Sequence, residues 1–419
     1  MKPLLPVATA ISLLASSYAL SSPVEITVWR HQASNAETKA SEKAISRLNA
    51  AQNQYHFVQE LIPAGSYTQT ITAAAKSDGL PCIIDIDQPL VPNFAWNGFL
   101  SPLESMMSKD RLAQINASGK GTYKGKIYSV GQFDVALTLL TRKSLLKKIN
   151  ARQPDTAHPW SKDELMEVLD KIKQTGEYRY PFDILALYTD EWVPYGWSPM
   201  MISWGADLIN RDNYIEADGY LNSDEAIEFA EWMYSLVEED YTDRKPTDDK
   251  GLITGRVAIQ YTGSWAVGDA ANALGDDLAI LPVPDFGNGP SIGGGSWHWG
   301  ATSSCKHPQA ATVFLDHMTS PFEIAEMSKS TSLIPTSDAA AQITENYKTG
   351  GKWRTFYEFS SQYARLRPET PAYAVISSAY SKAMQDVLDG KDPADALDVA
   401  VDSIESAIEK NNGYGFELK

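Results

Sequence analysis

The sequence predicts an α/β fold, because strand and helix patterns alternate along the chain. Alternating β-branched residues at 24–29 indicate a strand, residues 36–49 carry apolar side chains at helical spacing, and residues 55–61 indicate a second strand. A second helix at 70–76 and a short apolar strand at 83–86 follow. This order is typical of a βαβ sheet, in which ligands lie beyond the carboxyl ends of the strands.

A second group of elements beyond residue 128 indicates that the chain forms two lobes. A helix is predicted to begin near Ser223, and the segment 397–408 carries apolar residues at helical spacing. Between them, strands return at 278–282 and 297–303. The length of 419 residues exceeds what one compact core usually needs. Because no long linker separates the two groups, we expect two lobes joined by several crossings of the chain.

The charge balance excludes one broad class of partner. The chain has 36 Lys and Arg against 53 Asp and Glu, a formal net charge of −17 at pH 7. An acidic protein is repelled by phosphate backbones and anionic lipid headgroups, so we expect no nucleic-acid partner. The 11 Trp and 20 Tyr make a neutral, hydroxyl-rich ligand worth considering instead.

The first 22 residues have the layout of a secretory signal peptide. Lys2 supplies a positive charge, residues 4–14 form a short apolar stretch, and residues 17–19 offer a small-x-small cleavage site. No cysteine follows the apolar stretch, so we expect no lipid anchor. No later stretch approaches the roughly 18 apolar residues of a membrane-spanning helix. The sequence therefore predicts an exported, soluble protein.

The cysteine content is a single pair, Cys82 and Cys305. In an oxidising compartment an even pair favours a disulfide, although two free thiols are the alternative. There is no Cys-x-x-Cys motif, and the six His form no zinc-ligating pattern. We therefore expect neither a metal site nor a cofactor.

Aromatic residues beside carboxylates are the features that most suggest a ligand site. An aromatic ring covers the apolar C–H face of a sugar, while carboxylates and amides bond its rim of hydroxyls. Asp87 and Gln88 follow a predicted strand, and Asp134 lies in the apolar segment 133–137, where an unpaired acid is costly to bury. Ligand binding is one interpretation. A cap or turn at Asp87 and a structural ion pair at Asp134 are the alternatives.

Three aromatic residues extend this pattern. Tyr195 and Trp197 lie in the segment 193–199, where Pro and Gly predict a loop, and Trp265 ends a predicted strand. On a loop, Tyr195 and Trp197 are either binding surface or a plug over the core. Trp265 either stacks on a ligand or holds the next helix against the sheet.

A glycine-rich segment and the end of the first strand provide further candidates. Residues 293–300, GGGSWHWG, enter a predicted strand, and glycine lets the backbone approach a ligand closely. The segment matches no common nucleotide-binding glycine motif, and a flexible loop is the alternative. His31 and Gln32 follow the first strand, where they either reach the same cleft or have a capping role.

Catalysis finds little support in the sequence. A glycoside hydrolase needs two carboxylates about 5–10 Å apart across the scissile bond, but adjacent pairs such as Asp190-Glu191 are expected by chance in an acidic chain. No Gly-x-Ser-x-Gly motif is present, and neither cysteine resembles a nucleophile beside a base. We expect a binding protein and not an enzyme, with a secreted glycoside hydrolase as the remaining alternative from a different class.

Six short motifs identify a family resemblance when they are taken in order. They are residues 79–85 (GLPCIID), 123–128 (YKGKIY), 141–146 (TRKSLL), 255–265 (GRVAIQYTGSW), 281–284 (LPVP) and 334–335 (IP). With these motifs the sequence resembles the extracellular solute-binding proteins, family 1, which are the sugar-capturing subunits of ABC importers. The sequence departs from the family at Cys82, where Asp is usual, and at residues 141–142, where Thr-Arg replaces Tyr-Asn.

The resemblance implies a two-lobed periplasmic binding protein fold, type II-like, with three hinge crossings around a central cleft that closes on a sugar. The implied N-terminal lobe comprises residues 23–132 and 283–333, and the C-terminal lobe comprises residues 133–282 and 334–419. The implied function is that of a soluble, monomeric periplasmic receptor, without a cofactor, that passes a sugar or oligosaccharide to the permease of an ABC importer. The alternative ligand is another polar solute, such as a polyol or a glycerophosphodiester.

The resemblance adds to the residues expected to bind the ligand. Those that it carries over by position are Asp87, Asp134, Tyr195, Trp197, Trp265, Gly294, Gly295, Trp297, Arg367 and Tyr373. The full expected set also includes His31, Gln32, Tyr67 and Gln88. Because Cys82 replaces the usual Asp, no role of that carboxylate is carried over. Pairing of Cys82 with Cys305 inside the N-terminal lobe is expected instead.

Overall fold

The structure, a computed structural model, describes residues 22–417. The expected signal peptide, residues 1–22, lies outside the described residues apart from Ser22. In the described part of the chain, no helix is long and apolar enough to cross a membrane.

Strands and helices alternate over most of the described chain. The strands are β1 Val24–Gln32, β2 Tyr55–Pro63, β3 Ile83–Asp87, β4 Lys120–Tyr123, β5 Lys126–Val130, β6 Phe133–Asp134, β7 Leu137–Arg142, β8 Tyr180–Asp183, β9 Val257–Gly263, β10 Leu278–Leu281, β11 Ile292–Gly294, β12 Trp297–Ala301, β13 Ile334–Pro335 and β14 Ala364–Leu366. The helices are α1 Asn35–Ala51, α2 Ala64–Lys76, α3 Val91–Trp96, α4 Lys109–Ala113, α5 Lys143–Lys148, α6 Lys162–Thr175, α7 Ser198–Trp204, α8 Asp224–Glu238, α9 Gly251–Thr254, α10 Val267–Leu274, α11 Pro308–Met318, α12 Pro321–Thr331, α13 Asp338–Gln342, α14 Arg354–Tyr363, α15 Tyr373–Leu388 and α16 Pro393–Lys410.

The first unit is built on a six-stranded sheet with the order β2-β1-β3-β12-β5-β4. Strand β1 pairs in parallel with both β2 and β3, which confirms the predicted βαβ order at the start of the chain. Strand β12 returns antiparallel between β3 and β5. Because β1 and β3 are parallel, their carboxyl ends lie at the same edge of the sheet.

The second unit is built on a four-stranded sheet with the order β10-β7-β9-β8. Its helices include α16, which buries Leu397, Val401, Ile404 and Ile408, as the apolar spacing predicts. The helix α8 begins after Ser223, whose side chain accepts a hydrogen bond from the backbone N–H of Ala226. The apolar faces of these helices are thus buried, with α16 packed against α15 and α8, and this burial stabilises the unit.

Short strands mark the places where the chain passes between the units. Strand β6 pairs antiparallel with β13, which sets the first crossing beside the last. Strand β11 pairs in parallel with β14, directly before β12 enters the first sheet. The paired β6 and β13, together with the segment between β11 and β12, are the backbone connections about which two such units can move.

Residues 283–294, which the expected division assigns to the N-terminal lobe, carry side chains that pack in the second unit. Phe286 stacks on Trp204 of α7 with ring centroids 5.4 Å apart and meets Trp232 of α8 at 5.1 Å. Val283 and Ile292 are buried in the same apolar cluster of the second unit. Packing of these side chains keeps residues 283–294 with the second unit, and the chain crosses between Gly294 and Trp297.

Two cysteines join distant parts of the first unit. Cys82 precedes β3 and forms a disulfide with Cys305, which follows β12. The bond links positions 223 residues apart along the chain. It therefore ties together two strands that are neighbours in the same sheet.

The segment 193–199 is not the loop that its Pro and Gly predict. Residues Val193–Trp197 form a π-helix that runs into α7, and all five of these residues are buried. Gly196 permits this packing, because a Cβ at that position would lie 2.8 Å from the ring of Trp192. Close packing against an aromatic ring has overridden the local turn preference.

A cleft between the two units

The cleft begins at the strand ends of the first unit. Asp87 is the last residue of β3 and pairs in register with Trp297, the first residue of β12. His31 lies near the end of β1 at the same edge of the sheet. These three predicted residues are therefore neighbours, and Asp87 contacts Arg367, which follows β14 in the second unit.

Arg367 connects the two units across the cleft. Its Nη1 lies 2.9 Å from Asp87 Oδ2 and its Nη2 lies 2.9 Å from Asp87 Oδ1, a bidentate pair. Nη1 also lies 2.6 Å from Oε1 of Glu191. Arg367 is only 4% exposed, so these contacts are shielded from solvent. A single buried guanidinium thus bridges a carboxylate of each unit.

Glu191 is held by further hydroxyl groups from α15. The hydroxyl of Tyr373 donates to Glu191 Oε1, and Ser377 Oγ donates to Oε2 over 2.8 Å. Burial raises the pKa of Glu191 above its ordinary value, and the charge of Arg367 opposes that rise. All four carboxylate oxygens of Asp87 and Glu191 therefore have partners in this structure.

Neighbouring groups keep the guanidinium of Arg367 protonated, because they raise its pKa. Burial lowers the pKa of this guanidinium, but Asp87, Tyr373 and Glu191 together raise it well above its ordinary value. Its plane also lies over the ring of Tyr195, 5.0 Å from the centroid. Arg367 is thus a fixed cation at the centre of the site.

An aromatic wall, defined here as Trp192, Tyr195 and Trp265, lines the second unit's side. The ring of Trp265 lies 6.2 Å from each of the other two rings, and Trp192 lies 6.3 Å from Tyr195. Trp192 and Tyr195 are less than 10% exposed, whereas Trp265 is 42% exposed. The wall therefore presents one ring to solvent on a support of two buried rings, which suits stacking on a flat apolar surface.

Two of the glycines lie against side chains of the site. A Cβ at Gly293 would lie 2.5 Å from the backbone oxygen of Tyr195, and one at Gly295 would lie 2.9 Å from Gln88 Oε1. Gly295 also has a φ of +80°, a conformation that glycine adopts easily. The expected glycine-rich segment is thus required where the chain crosses between the units.

His31 belongs to a buried cluster behind the strand ends. Its Nδ1 lies 2.6 Å from Asp85 Oδ2, and its ring stacks on Trp297 with centroids 3.7 Å apart. Tyr67 donates its hydroxyl to the backbone oxygen of Asp85 over 2.7 Å. These contacts position Trp297 and the end of β1, and Tyr67 is fully buried.

Asp134 lies on the first crossing, in β6, and is 1% exposed. Its Oδ1 accepts from the backbone N–H of Val135, and its Oδ2 accepts from Ser360 Oγ, each over 2.8 Å. Burial raises the pKa of Asp134, while hydrogen bonds from Ser118, Ser360 and Val135 lower it in part. Its direct partners are neutral, and none is the structural ion pair considered for it.

The predicted residues differ in where the structure places them. Asp87, Arg367, Tyr373, Tyr195 and Trp265 share the cleft, and Gln88, Gly294, Gly295 and Trp297 lie next to it, directly after β3 and from the end of β11 to the start of β12. His31 and Asp134 lie buried next to it, and Gln32 is exposed at the end of β1. Trp197 and Tyr67 are core residues, and Trp197 Nε1 donates to the backbone oxygen of Ile184 over 3.0 Å.

Sequence reasoning missed Glu191 and Trp192 as site residues. Their signal was present, because an acid and an aromatic residue stand side by side just before the segment 193–199. It was indistinguishable from chance pairing until the structure brought Arg367 to Glu191, 176 residues away in sequence. Within residues 22–417, no cluster of His, Cys, Asp and Glu has the arrangement to hold a metal ion.

Solved structures with the same fold come from several bacteria. The chain superimposes on the GacH receptor of Streptomyces glaucescens, solved unliganded and with acarbose, with a TM-score of 0.79 and 20% identity over 92% of this chain and 99% of that one. It superimposes on the cyclic α-maltosyl-1,6-maltose binding protein of Arthrobacter globiformis with a TM-score of 0.77 and 24% identity, over 93% and 100% of the two chains. The maltose/maltodextrin-binding domain MalE of Bdellovibrio bacteriovorus gives 0.76 and 19%, over 92% and 100%. These similarities establish the two-lobed fold.

Sequence comparison assigns the family. The chain is 21% identical to an uncharacterized lipoprotein from the oleD 5′ region of Streptomyces antibioticus, over 74% of this chain and 68% of that protein. A sequence model of the bacterial extracellular solute-binding proteins matches residues 43–355, most of the length. The chain therefore belongs to the bacterial extracellular solute-binding protein family.

Proposed function

We propose that the protein captures a sugar or oligosaccharide between its two units and delivers it to the permease of an ABC importer, with no chemistry of its own. The observation that carries this proposal is the meeting, in one cleft, of the aromatic wall with the Asp87–Arg367–Glu191 network. A ring surface covers the C–H face of a sugar, and charged hydrogen-bonding groups bind its hydroxyls.

The related structures support this choice of ligand. Their names record acarbose for the Streptomyces glaucescens receptor and maltotriose for the Bdellovibrio bacteriovorus domain. The chain shares their fold over nine-tenths of its length. The cleft chemistry described above is compatible with ligands of that class.

Each side of the cleft has a distinct role in this proposal. Trp265 stacks on a sugar ring, since it is the exposed member of the aromatic wall. Asp87, Glu191 and Tyr373 bond hydroxyls as the ligand takes over contacts that Arg367 makes in this structure. Hydrogen bonds to charged groups contribute about 1.5–3 kcal/mol each, so a few of them with one stacked ring reach micromolar affinity.

We propose a monomeric receptor in the periplasm, released from a signal peptide at residues 1–22. A relative in Streptomyces antibioticus is a lipoprotein, so release into the periplasm has to be distinguished from attachment through a lipid. Mass spectrometry of the protein from its native host separates the two cases. Cleavage near residue 22 with no added lipid mass supports free release, whereas a mass increase of an acyl chain contradicts it.

Another polar solute is the alternative ligand. A glycerophosphodiester would need a free cation for its phosphate, and the cleft cation Arg367 is already paired with two carboxylates. A neutral polyol has no such requirement, because it presents the same hydroxyl groups as a sugar. The charge of the network therefore favours neutral ligands over phosphate-bearing ones.

A thermal-shift screen tests the proposed function. The protein is heated with mono- and oligosaccharides, polyols and glycerophosphodiesters, and bound ligand is recovered and chromatographed. A ligand at 100 times its dissociation constant adds about 2.7 kcal/mol to the free energy of unfolding. A sugar that raises the midpoint and is recovered intact supports the receptor, and one recovered cleaved indicates a hydrolase. A response to non-sugars alone contradicts the carbohydrate assignment.

A further inference from the structure

One buried amide in the cleft region has no partner for either of its polar atoms. Gln88 is fully buried, and within residues 22–417 neither its Oε1 nor its Nε2 makes a hydrogen bond. Its backbone is fixed, because its N–H donates to the backbone oxygen of Ser296 over 3.0 Å. The side chain is therefore held in place without being satisfied.

Such an amide is costly to the folded protein. Nearly all buried side-chain polar groups in proteins have a hydrogen-bond partner. A buried donor or acceptor that loses its partner forfeits its hydration without compensation. An isosteric apolar side chain at position 88 would avoid this cost, so the amide is not explained by stability.

Gln88 lies beside the ion pair that joins the two units. It directly follows Asp87, whose two carboxylate oxygens are both taken by Arg367. The Nε of Arg367, also buried, lacks a partner as well. Unsatisfied polar atoms thus occur both on Arg367 and on the residue that follows its partner Asp87 in sequence.

Gly295 makes room for this side chain. A Cβ on Gly295 would stand 2.9 Å from Oε1 and 3.2 Å from Cδ of Gln88. The glycine lies on the segment that crosses from β11 to β12. The amide therefore lies directly against the segment by which the chain passes between the units.

We propose that Gln88 is a specificity-determining residue that reads a pair of neighbouring hydroxyls on the ligand. Oε1 accepts from one hydroxyl and Nε2 donates to the other, which selects a neutral saccharide with a free vicinal diol over its deoxy and O-methyl derivatives. This inference rests on the proposed function and assigns its substrate class. A site built to bond a hydroxyl discriminates strongly against analogues that lack it.

The test compares Gln88→Met with Gln132→Met, using the best-binding saccharide of the panel. Gln132 is also buried and also has an unpartnered Nε2, but its Oε1 accepts from Trp299 Nε1 over 3.1 Å, inside the first unit. Calorimetric titration should show a dissociation constant raised about tenfold or more for Gln88→Met, since two hydrogen bonds are lost. The midpoint of unfolding without ligand should stay unchanged or rise. Gln132→Met should show the reverse pattern, a lower midpoint with unchanged affinity.

A second arm uses the wild-type protein with deoxy and O-methyl derivatives of the same saccharide. Removal of both hydroxyls of the pair should weaken binding about tenfold or more, and Gln88→Met should then add little further loss. Equal affinities of wild type and Gln88→Met, or a lower ligand-free midpoint for Gln88→Met, would overturn the assignment of Gln88 while the receptor function stands. A wild-type protein that binds no hydroxyl-bearing member of the panel would overturn both.

Discussion

The two units contribute different chemistry to the cleft. The first unit supplies polar groups at the ends of neighbouring strands, with Asp87 and Gln88 at β3. The second unit supplies the aromatic wall, of which Trp265 is exposed, together with the polar groups of Arg367, Glu191 and Tyr373. Directional hydrogen bonds fix the orientation of a ligand, whereas ring burial supplies affinity with little directional demand. Substitutions of the polar groups should therefore alter specificity, and substitutions in the aromatic wall should alter overall affinity.

Arg367 joins the two sides of the cleft, because it contacts a carboxylate of each unit. Its replacement should therefore lower the free energy of unfolding more than any other change proposed here. Arg367→Met removes the buried cation that pairs with Asp87, whose side chain is 14% exposed, and with the half-buried Glu191. Loss of one partner of a buried pair typically costs about 3–5 kcal/mol, so urea denaturation should show a lower free energy of unfolding of that size.

Arg256→Met is the matched control for that experiment. Arg256 forms its ion pair with Asp248 at the surface, where both side chains are well exposed. Exposed pairs contribute little, so this variant should unfold close to the wild type. Equal stabilities of the two variants would contradict the view that Arg367 bridges the units in a buried network.

The disulfide allows the stabilities of the two units to be compared, because it lies in the first unit alone. Replacing Cys82 and Cys305 by Ser together should lower the free energy of unfolding by about 2–4 kcal/mol, since the bond closes a long loop. Calorimetry should show the first unit melting earlier. An unchanged melting curve for the double variant, with the wild-type bond verified by free-thiol counting, would contradict this expectation.

On the second unit's side, Trp265→Ala should weaken saccharide binding by about 1–3 kcal/mol, because one stacking surface is lost. Its effect on stability should be small, since the ring is 42% exposed. Trp197→Ala is the contrasting variant. Trp197 is fully buried and bonded to Ile184, so its loss should act on folding, and isothermal titration of the folded fraction should give a near-normal affinity. Unchanged affinity in Trp265→Ala would remove the stacking role.

The smallest effect is expected on the pH dependence of the free energy of unfolding, through Asp134 on the first crossing. Burial raises the pKa of Asp134, so the folded protein holds this proton more tightly than the unfolded chain. The resulting stabilisation is complete below the ordinary aspartate pKa and is lost as the pH rises through the raised value. Asp134→Asn should therefore give a flatter decline of the free energy of unfolding from about pH 4 to pH 7.

Asp155→Asn provides a control of opposite sign. Hydrogen bonds from His158 lower the pKa of this exposed aspartate, with burial opposing weakly. Its contribution is present at neutral pH and is lost on acidification, so its replacement should not flatten the decline. Identical pH profiles for the wild type and Asp134→Asn, measured by urea denaturation, would contradict the raised pKa.

Local patterns in the sequence account for the elements but not for the partners across the cleft. The alternation that predicts β1 and β2 depends on neighbouring residues, and the structure confirms both strands. The packing of Phe286 on Trp204 and Trp232 joins residues far apart in sequence, so local patterns did not place the segment after residue 283 beside α7 and α8. The bond between Arg367 and Glu191 is of the same kind. For Trp197, Pro and Gly predicted a loop, and aromatic packing produced a buried π-helix instead.

Hydrogen–deuterium exchange with and without the best-binding saccharide tests the central claim most directly. If the ligand lies between the units, peptides from both should be protected together, namely those containing Asp87–Gln88 and the crossing at 293–297 from one side and the aromatic wall from the other. The surface depression lined by Pro159, Lys162 and Asp285 serves as the internal comparison, because it lies on the second unit alone. Protection confined to that depression, or to one unit, would contradict a saccharide site in the cleft.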